Sequence, residues 1–246
     1  MVLSIQRHSD LKNHELPDRA NQLLNLLPEP ELQNLLAYSE RVIIPAKKNL
    51  YKPGELIRQV YFPLQGIISL TIVNEDGLVA ESAAISNEGM VSIAGFLGGN
   101  KSSNLVTAQT DCIAISLPIN ILRREFNRGG ELHRVLLLYA QFLHYQVSQN
   151  VFCSCHHTLE QRLARWLLFY RDRLKKNQFR LTQETLADLL GVRRSSLSAV
   201  AVDLRQRNLI HYSRGKIMIL DSEALKQAAC ECNRSISDEY KRLFDL

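Results

Sequence analysis

From about Arg41 to Pro118 the chain consists of short apolar runs cut by turn residues: "RVIIP", "VYFPLQG", "IISLTIV", "LVAESAAI", "NLVTAQ" and "CIAISLP". Runs of this length, rich in β-branched and aromatic residues, read as strands, because successive strand side chains face opposite sides of a sheet. Pro53-Gly54, Gly66 and Glu75-Asp76-Gly77 punctuate them, the last being a strong hairpin signal. Many short strands at this spacing predict a sandwich or barrel of antiparallel strands. A short helix, Pro28 to Tyr38, is expected before it, since Pro28 and Glu29 suit a helix's first turn.

At Glu131 the period becomes helical and stays so for about seven turns. Leu132, Val135, Leu136, Tyr139, Phe142, Leu143 and Val147 form a stripe too broad for one contact. One face is expected on the β domain and the other on a partner chain, with Tyr139 and Leu143 in the seam. Gln146, Gln149 and Asn150 interrupt that seam, where polar residues can fix the register of paired helices. The pattern also admits a helix packed only on its own domain. Next, Thr158-Leu159-Glu160-Gln161 has the form of a capping box and starts a new helix with Leu163, Trp166, Leu167 and Tyr170 at core spacing.

The stretch "TQETLADLLGVRRSSLSAVAVDL" carries the most specific pattern. With Gln183 as position one, Leu186, Leu190, Val192, Leu197 and Val200 fall where the two helices of a helix-turn-helix must pack. Ala187 stands where only a small side chain fits, and Gly191 stands in the turn, where positive φ is needed. In the helix beginning near Arg193, Leu197, Val200, Ala201 and Leu204 share the inward face. After it, "LIHYSRGKIMIL" reads as two strands around Ser213-Arg214-Gly215-Lys216, a hairpin wing with basic residues at its tip.

Charge supports this location. Residues 160–216 hold 13 Lys/Arg against 5 Asp/Glu, whereas the rest of the chain holds 17 against 20. A local excess of this kind fits a polyanion site or a solvated basic face, and charge alone does not decide between them. No apolar run approaches the ~20 residues of a membrane-spanning helix, and the stretch "MVLSIQRHSDLKNHELPDRAN" is too polar for a signal peptide, so a cytoplasmic protein without membrane contact is expected. Five cysteines, none before Cys112, argue against a disulfide framework. There is no zinc-binding His-Glu-x-x-His, no Gly-x-Ser-x-Gly and no phosphate-cradling glycine loop, and "GFLGGN" lacks the Lys-Ser/Thr that such a loop requires. No enzyme, catalytic residue or cofactor is expected.

Taken together, "LTQETLADLLGVRRSSLSAVAVDL", "LIHYSRGKIMIL" and "HHTLEQRLARWLL", with "YFPLQG" and "NEGM" upstream, resemble the Crp/Fnr family of bacterial transcription regulators over roughly Leu23 to Cys232. The resemblance implies an α+β fold. Its parts are an N-terminal antiparallel β-roll, jelly-roll-like and similar to a cyclic-nucleotide-binding domain, then a long dimerisation helix and a C-terminal winged helix-turn-helix. The expected divisions are an arm at 1–22, a sensory roll at 23–130, the dimerisation helix at 131–157 and the DNA-binding domain at 158–246. It further implies a homodimer on a short palindromic operator in double-stranded DNA, recruiting or obstructing RNA polymerase.

Arg194 matches the family's base-reading arginine and is assigned to a guanine, Arg193 to phosphate. Ser195, Ser196, Ser198, Ala199 and Val202 line the outer face, small enough to lie deep in the major groove. Thr182 and Gln183 at the start of the first helix, and Arg214 and Lys216 on the wing, complete the expected DNA contacts. Ser195 departs from the acidic residue common at its place, so no operator is carried over.

The sensory half departs further. Cyclic-nucleotide-binding members hold the ribose with a Glu and the cyclic phosphate with an Arg. Laid alongside without gaps, "GMVSIAGFLGGNKSSNLVTA" puts Ser92 at the Glu and Ser102 at the Arg, and only Ser103 agrees. Lys101 could bring charge but not the planar fork. Cyclic AMP binding is not expected, the ligand pocket at Ser92, Lys101, Ser102 and Ser103 has no named effector, and the family's N-terminal iron–sulfur cysteines are missing. Cys153-Ser154-Cys155-His156-His157 and Cys230-Glu231-Cys232 could bind metal or respond to oxidation. A Cys-x-Cys on a helix, however, points its thiols about 200° apart, so no metal site is expected there. The competing reading is a small-molecule, metal or redox sensing module built on the roll or on these Cys/His residues.

Overall fold

In the computed structural model, residues 16–246 are described; most of the polar N-terminal stretch and of the 1–22 arm lies outside the described residues. Two short helices come first, α1 (Gln22–Asn25) and α2 (Glu29–Leu36), the latter preceded by Pro28 as expected. The alternating runs then become strands: β1 (Glu40–Ile44), β3 (Gln59–Gln65), β4 (Ile68–Val73), β5 (Val79–Ile85), β6 (Leu105–Ala108) and β7 (Cys112–Pro118), with a further short strand, β2 (Asn49–Tyr51), after β1. They pair in two antiparallel sheets, ordered β1-β7-β3 and β2-β6-β4-β5.

The period of two decides what each strand residue touches. On β7, Cys112 and Ala114 join the core that includes Ile44, Ile68, Ile85 and Val106 of the other strands. Ile113, Ile115 and Leu117 point the other way, into a second core with the helices. That second core holds α1, α2, α3 (Ile119–Asn127) and the long α4 (Gly130–His156, 27 residues).

The broad stripe on α4 has one use, not two. Leu132, Val135, Leu136, Tyr139 and Phe142 are all buried in the core of their own chain. Tyr139 donates to the Met90 carbonyl at 2.9 Å, and Gly89 beside it has no room for a β-carbon against that ring. The expected partner seam at Tyr139 and Leu143 is therefore corrected: both side chains are buried within the chain. The polar interruptions are likewise intramolecular. Gln146 donates to the Ala84 carbonyl at 3.2 Å, Asn150 to the Ser82 carbonyl at 2.9 Å, and Gln149 to the Cys232 thiol at 3.2 Å.

Beyond the break at His157, Thr158 caps α5 (Leu159–Leu174) in the expected capping box. There follow β8 (Gln178–Arg180), α6 (Gln183–Leu190), α7 (Arg194–Gln206), the strands β9 (Ile210–Ser213) and β10 (Lys216–Ile219), and α8 (Ser222–Ala228). The strands form a three-stranded sheet ordered β8-β10-β9. The core of this part includes Ile67 and Ala84 of the roll, so the two halves pack on each other. The last helix, α9 (Cys232–Phe244), turns back: Ile236, Tyr240, Leu243 and Phe244 enter the N-terminal core, where Phe142 meets Tyr240 edge-on.

Candidate nucleic-acid interface

Caps, a shared core and one hydrogen bond between the helices set the geometry of the helix pair. Thr182 starts α6 by accepting the Thr185 amide at 3.1 Å, and Gly191 ends it in the left-handed region with φ of 64°. Leu186, Ala187 and Leu190 pack within the same core as Leu197 and Leu204 of α7. Ser198 of α7 donates to the side-chain oxygen of Gln183 at 2.8 Å, which fixes the second helix against the start of the first. Gln183 and Ser198, both expected at DNA, thus also hold the unit together.

The opposite face of α7 is open. Arg193 occupies the N-cap and Arg194 the first turn; both are exposed, as are Ser195, Ser196, Ala199 and Val202, while Ser198 is half-buried. In the wing, Arg214 and Gly215 take φ of 49° and 72°, the paired positive values of a tight two-residue hairpin turn. The register sets Lys216 opposite both Ser213 and Arg180, and Arg180, His211, Ser213, Arg214 and Lys216 line one open groove. Arg180 was not foreseen, because β8 is too short to show a period, nor was His211, which lies on a wing strand whose tip alone was assigned to DNA. Arg194 lies close enough to Tyr212 of β9 to oppose the rise to about 12 that burial imposes on this phenol.

What these cations lack is as informative as where they sit. Arg207, nearby, is tied to Glu160 and Asp203. Among the described residues, no carboxylate pairs with Arg180, Arg193, Arg194, Arg214 or Lys216. Unpaired guanidinium and ammonium groups around a groove keep their full attraction for phosphate, and binding costs them no broken ion pair.

The sensory positions look different. Ser92 stands in the left-handed region at φ of 77°, its hydroxyl buried without a hydrogen-bond partner among the described residues. Ser102 is buried and donates to the Asn104 carbonyl at 2.8 Å, while Lys101 and Ser103 face solvent. Between them, Arg123 of α3 grips the loop from below, donating to the Gly95 carbonyl at 2.5 Å and the Gly99 carbonyl at 2.6 Å. A cavity of about 560 Å³ lies elsewhere, between roll, α4, α5 and α9, bordered by Glu81, Glu88, Arg165 and Arg173. At its edge Glu81 accepts from Trp166 of α5 at 3.2 Å and from the Ser69 hydroxyl, and burial pushes its carboxyl up to about 7.

The cysteines divide as the helical geometry demands: Cys153 is buried and Cys155 exposed on α4. Cys230 and Cys232 do not lie on one helix, since Cys230 precedes the first turn of α9. The structure brings Cys153, His157, Cys230 and Cys232 together, an association that neither motif shows alone.

Comparison with known proteins agrees with this geometry. Residues 41–128 match the cyclic nucleotide-binding domain and residues 161–228 the Crp-like helix-turn-helix domain. The global nitrogen regulator of Nostoc sp. is 24% identical, over 70% of this chain and 81% of its own. That of Synechocystis sp. is 23% identical, over 73% and 84%. Among solved structures, a Crp/Fnr-family transcriptional regulator from Eubacterium rectale superposes with a TM-score of 0.70 at 17% identity, covering 85% of this chain and 99% of that one. A Crp/Fnr-family regulator from Thermus thermophilus gives 0.66 at 23% identity, covering 77% and 98%. With roll, long helix and winged helix in one order, and both family models matched, the chain belongs to the Crp/Fnr family of transcription regulators.

Proposed function

We propose that this protein binds a palindromic DNA operator as a homodimer, through α7 and its wing, and that its roll does not bind cyclic nucleotides. The observation that carries the reading is the open face of α7, small side chains between Arg193–Arg194 and the unpaired wing cations. Small residues admit the helix to the major groove, Arg194 reaches a guanine edge, and Ala199 and Val202 meet thymine methyl groups. Arg193, Arg214, Lys216 and Arg180 neutralise phosphates and set the register.

One winged helix reads few base pairs, so specificity calls for two, spaced ~34 Å apart on one face of the duplex. Support for pairing comes from the free side of α4. Leu137, Gln141, His144, Ser148, Val151 and Cys155 are all exposed and follow one another at steps of four and three residues, the spacing of a two-stranded seam. Leu137, Val151 and Phe152 are exposed by 44%, 59% and 46%, unusually high for large apolar side chains on a helix face.

Loss of cyclic-nucleotide binding is supported by Ser102, which cannot supply a bidentate contact, and by Arg123, which spends its donors on the loop's own carbonyls. A bound dimer would recruit or obstruct RNA polymerase according to where its operator lies. Gel shifts on genomic fragments, with and without cyclic nucleotides, test both halves of the proposal. Retarded fragments with unchanged affinity on adding nucleotide are expected; no retardation, or a nucleotide-dependent shift, contradicts it.

A further inference from the structure

We infer that Cys153, His157, Cys230 and Cys232 form a binding site for a single thiophilic divalent ion, zinc above all. Their ligand atoms all lie within 4.8 Å of one another. The Cys153 and Cys230 sulfurs are 3.6 Å apart, and the Cys232 sulfur is 3.5 Å from His157 Nδ1. A tetrahedron built with metal–sulfur bonds of ~2.3 Å and a metal–nitrogen bond of ~2.0 Å has edges of about 3.8 Å between sulfurs and about 3.5 Å between sulfur and nitrogen. Two of the six separations thus match those edges and no pair exceeds 4.8 Å, so small side-chain rotations would bring the four groups to the corners that one ion needs.

Local structure explains how they converge. Cys153 lies in the last turn of α4 and His157 caps that helix, its amide donating to the Cys153 carbonyl at 3.1 Å, so the two stand side by side. Cys230 follows the extended residue Ala229 that ends α8 and Cys232 opens α9, so the chain wraps the same point from the other side. Cys153, Cys230 and Cys232 are all buried. A disulfide between Cys153 and Cys230 would use two of the groups and leave Cys232 and His157 aimed at the same spot. A cluster of several irons needs ligands spread around a larger body than four atoms this close together enclose.

The surroundings fit a metal as well. The other ring nitrogen of His157 faces the Glu231 carboxylate at 3.5 Å, the outer partner that orients a metal-binding imidazole. Gln149 donates to the Cys232 sulfur at 3.2 Å. Three thiolates and a dication leave one negative charge, and Arg162 and Arg165 of α5 stand near enough to act on these sulfurs. The ion would tie the hinge end of α4, after which the DNA-binding half begins, to the start of the helix that returns to the N-terminal core. Its loss would loosen the joint between the two halves.

The test uses the full chain, purified without oxygen and with reductant, analysed for metal, then stripped and titrated with cobalt(II) alone. The expected result is stoichiometric zinc, and cobalt absorption of a tetrahedral thiolate site that zinc abolishes. Cys232→Ser should lose both signals and Cys155→Ser keep both. Glu231→Gln, which removes no ligand, should weaken the metal by about 10–100-fold with unchanged circular dichroism. Should Cys232→Ser fail to fold, the cobalt titrations of wild type and Glu231→Gln decide. Reduced protein that gives no thiolate absorption with cobalt overturns the inference, as do iron with sulfide in place of zinc, or equal metal loss in Cys155→Ser.

Discussion

The two loops where this family places its functional chemistry have opposite fates here. At the winged helix, Arg193, Arg194, Arg214 and Lys216 stand around an open face with no carboxylate to pair with among the described residues. In the roll, Arg123 closes on the carbonyls of Gly95 and Gly99, and the Ser102 hydroxyl turns to its own loop. The same residue type, arginine, is held in reserve in one place and consumed by the fold in the other. A binding surface is legible as polar capacity left over after folding; a lost one, as capacity satisfied from within. This difference can be broken or sharpened by experiment.

The largest effect is expected where the comparison depends on doubling the winged helix. Leu137→Glu with Val151→Glu puts charge on the exposed seam of α4 without touching its buried face. Monomers by sedimentation are expected, with operator affinity down by about 100-fold or more as the second half-site is lost. A dimer that persists would move the seam elsewhere. Next comes the base reader: Arg194→Ala should cost about 1–3 kcal/mol on the operator and relax preference at one base pair. Arg193→Ala should weaken all sequences alike. Equal losses on operator and random DNA for Arg194→Ala would remove its assignment.

A smaller change is expected at the wing. Each of Arg214→Ala and Lys216→Ala should lower the slope of log affinity against log salt by about one, with little change in sequence preference. The smallest concerns the contact between the halves. Burial holds the Glu81 carboxyl up to about 7, above its ordinary value, so the packed form takes up a proton that the opened form releases. The packing of the two halves around Glu81 is therefore most stable at low pH and weakens as pH rises from the ordinary carboxylate range through 7. Fluorescence of Trp166, the chain's single tryptophan, should follow that rise in wild type and stay flat in Glu81→Gln. A pH-independent wild-type signal would show that Glu81 does not titrate in the contact.

Most of the fold was legible because period alone decides it. Six runs alternated and became strands, and Thr158 with Gln161 announced the start of α5. The β2 and β8 strands span three residues each, too few to show any period, and Arg180 was missed with the second. Periodicity also tells which α4 residues are buried but not what buries them. The answer for Tyr139 and Phe142 included Tyr240, from a helix about a hundred residues later. The exposed steps at Leu137, Gln141 and His144 were overlooked because polar residues interleave the apolar ones. For the same reason of distance the Cys/His cluster was hidden: Cys153 and His157 could be paired by helical spacing, but Cys230 and Cys232 come from a turn whose geometry no local rule supplies.

The open face of α7 is tested most directly by footprinting the full chain on a genomic fragment it retards. Two protected half-sites related by inversion, centred ~34 Å apart on one face of the duplex, are the predicted result. Protection of a single site without symmetry, or uniform protection that random DNA competes away equally well, would contradict it.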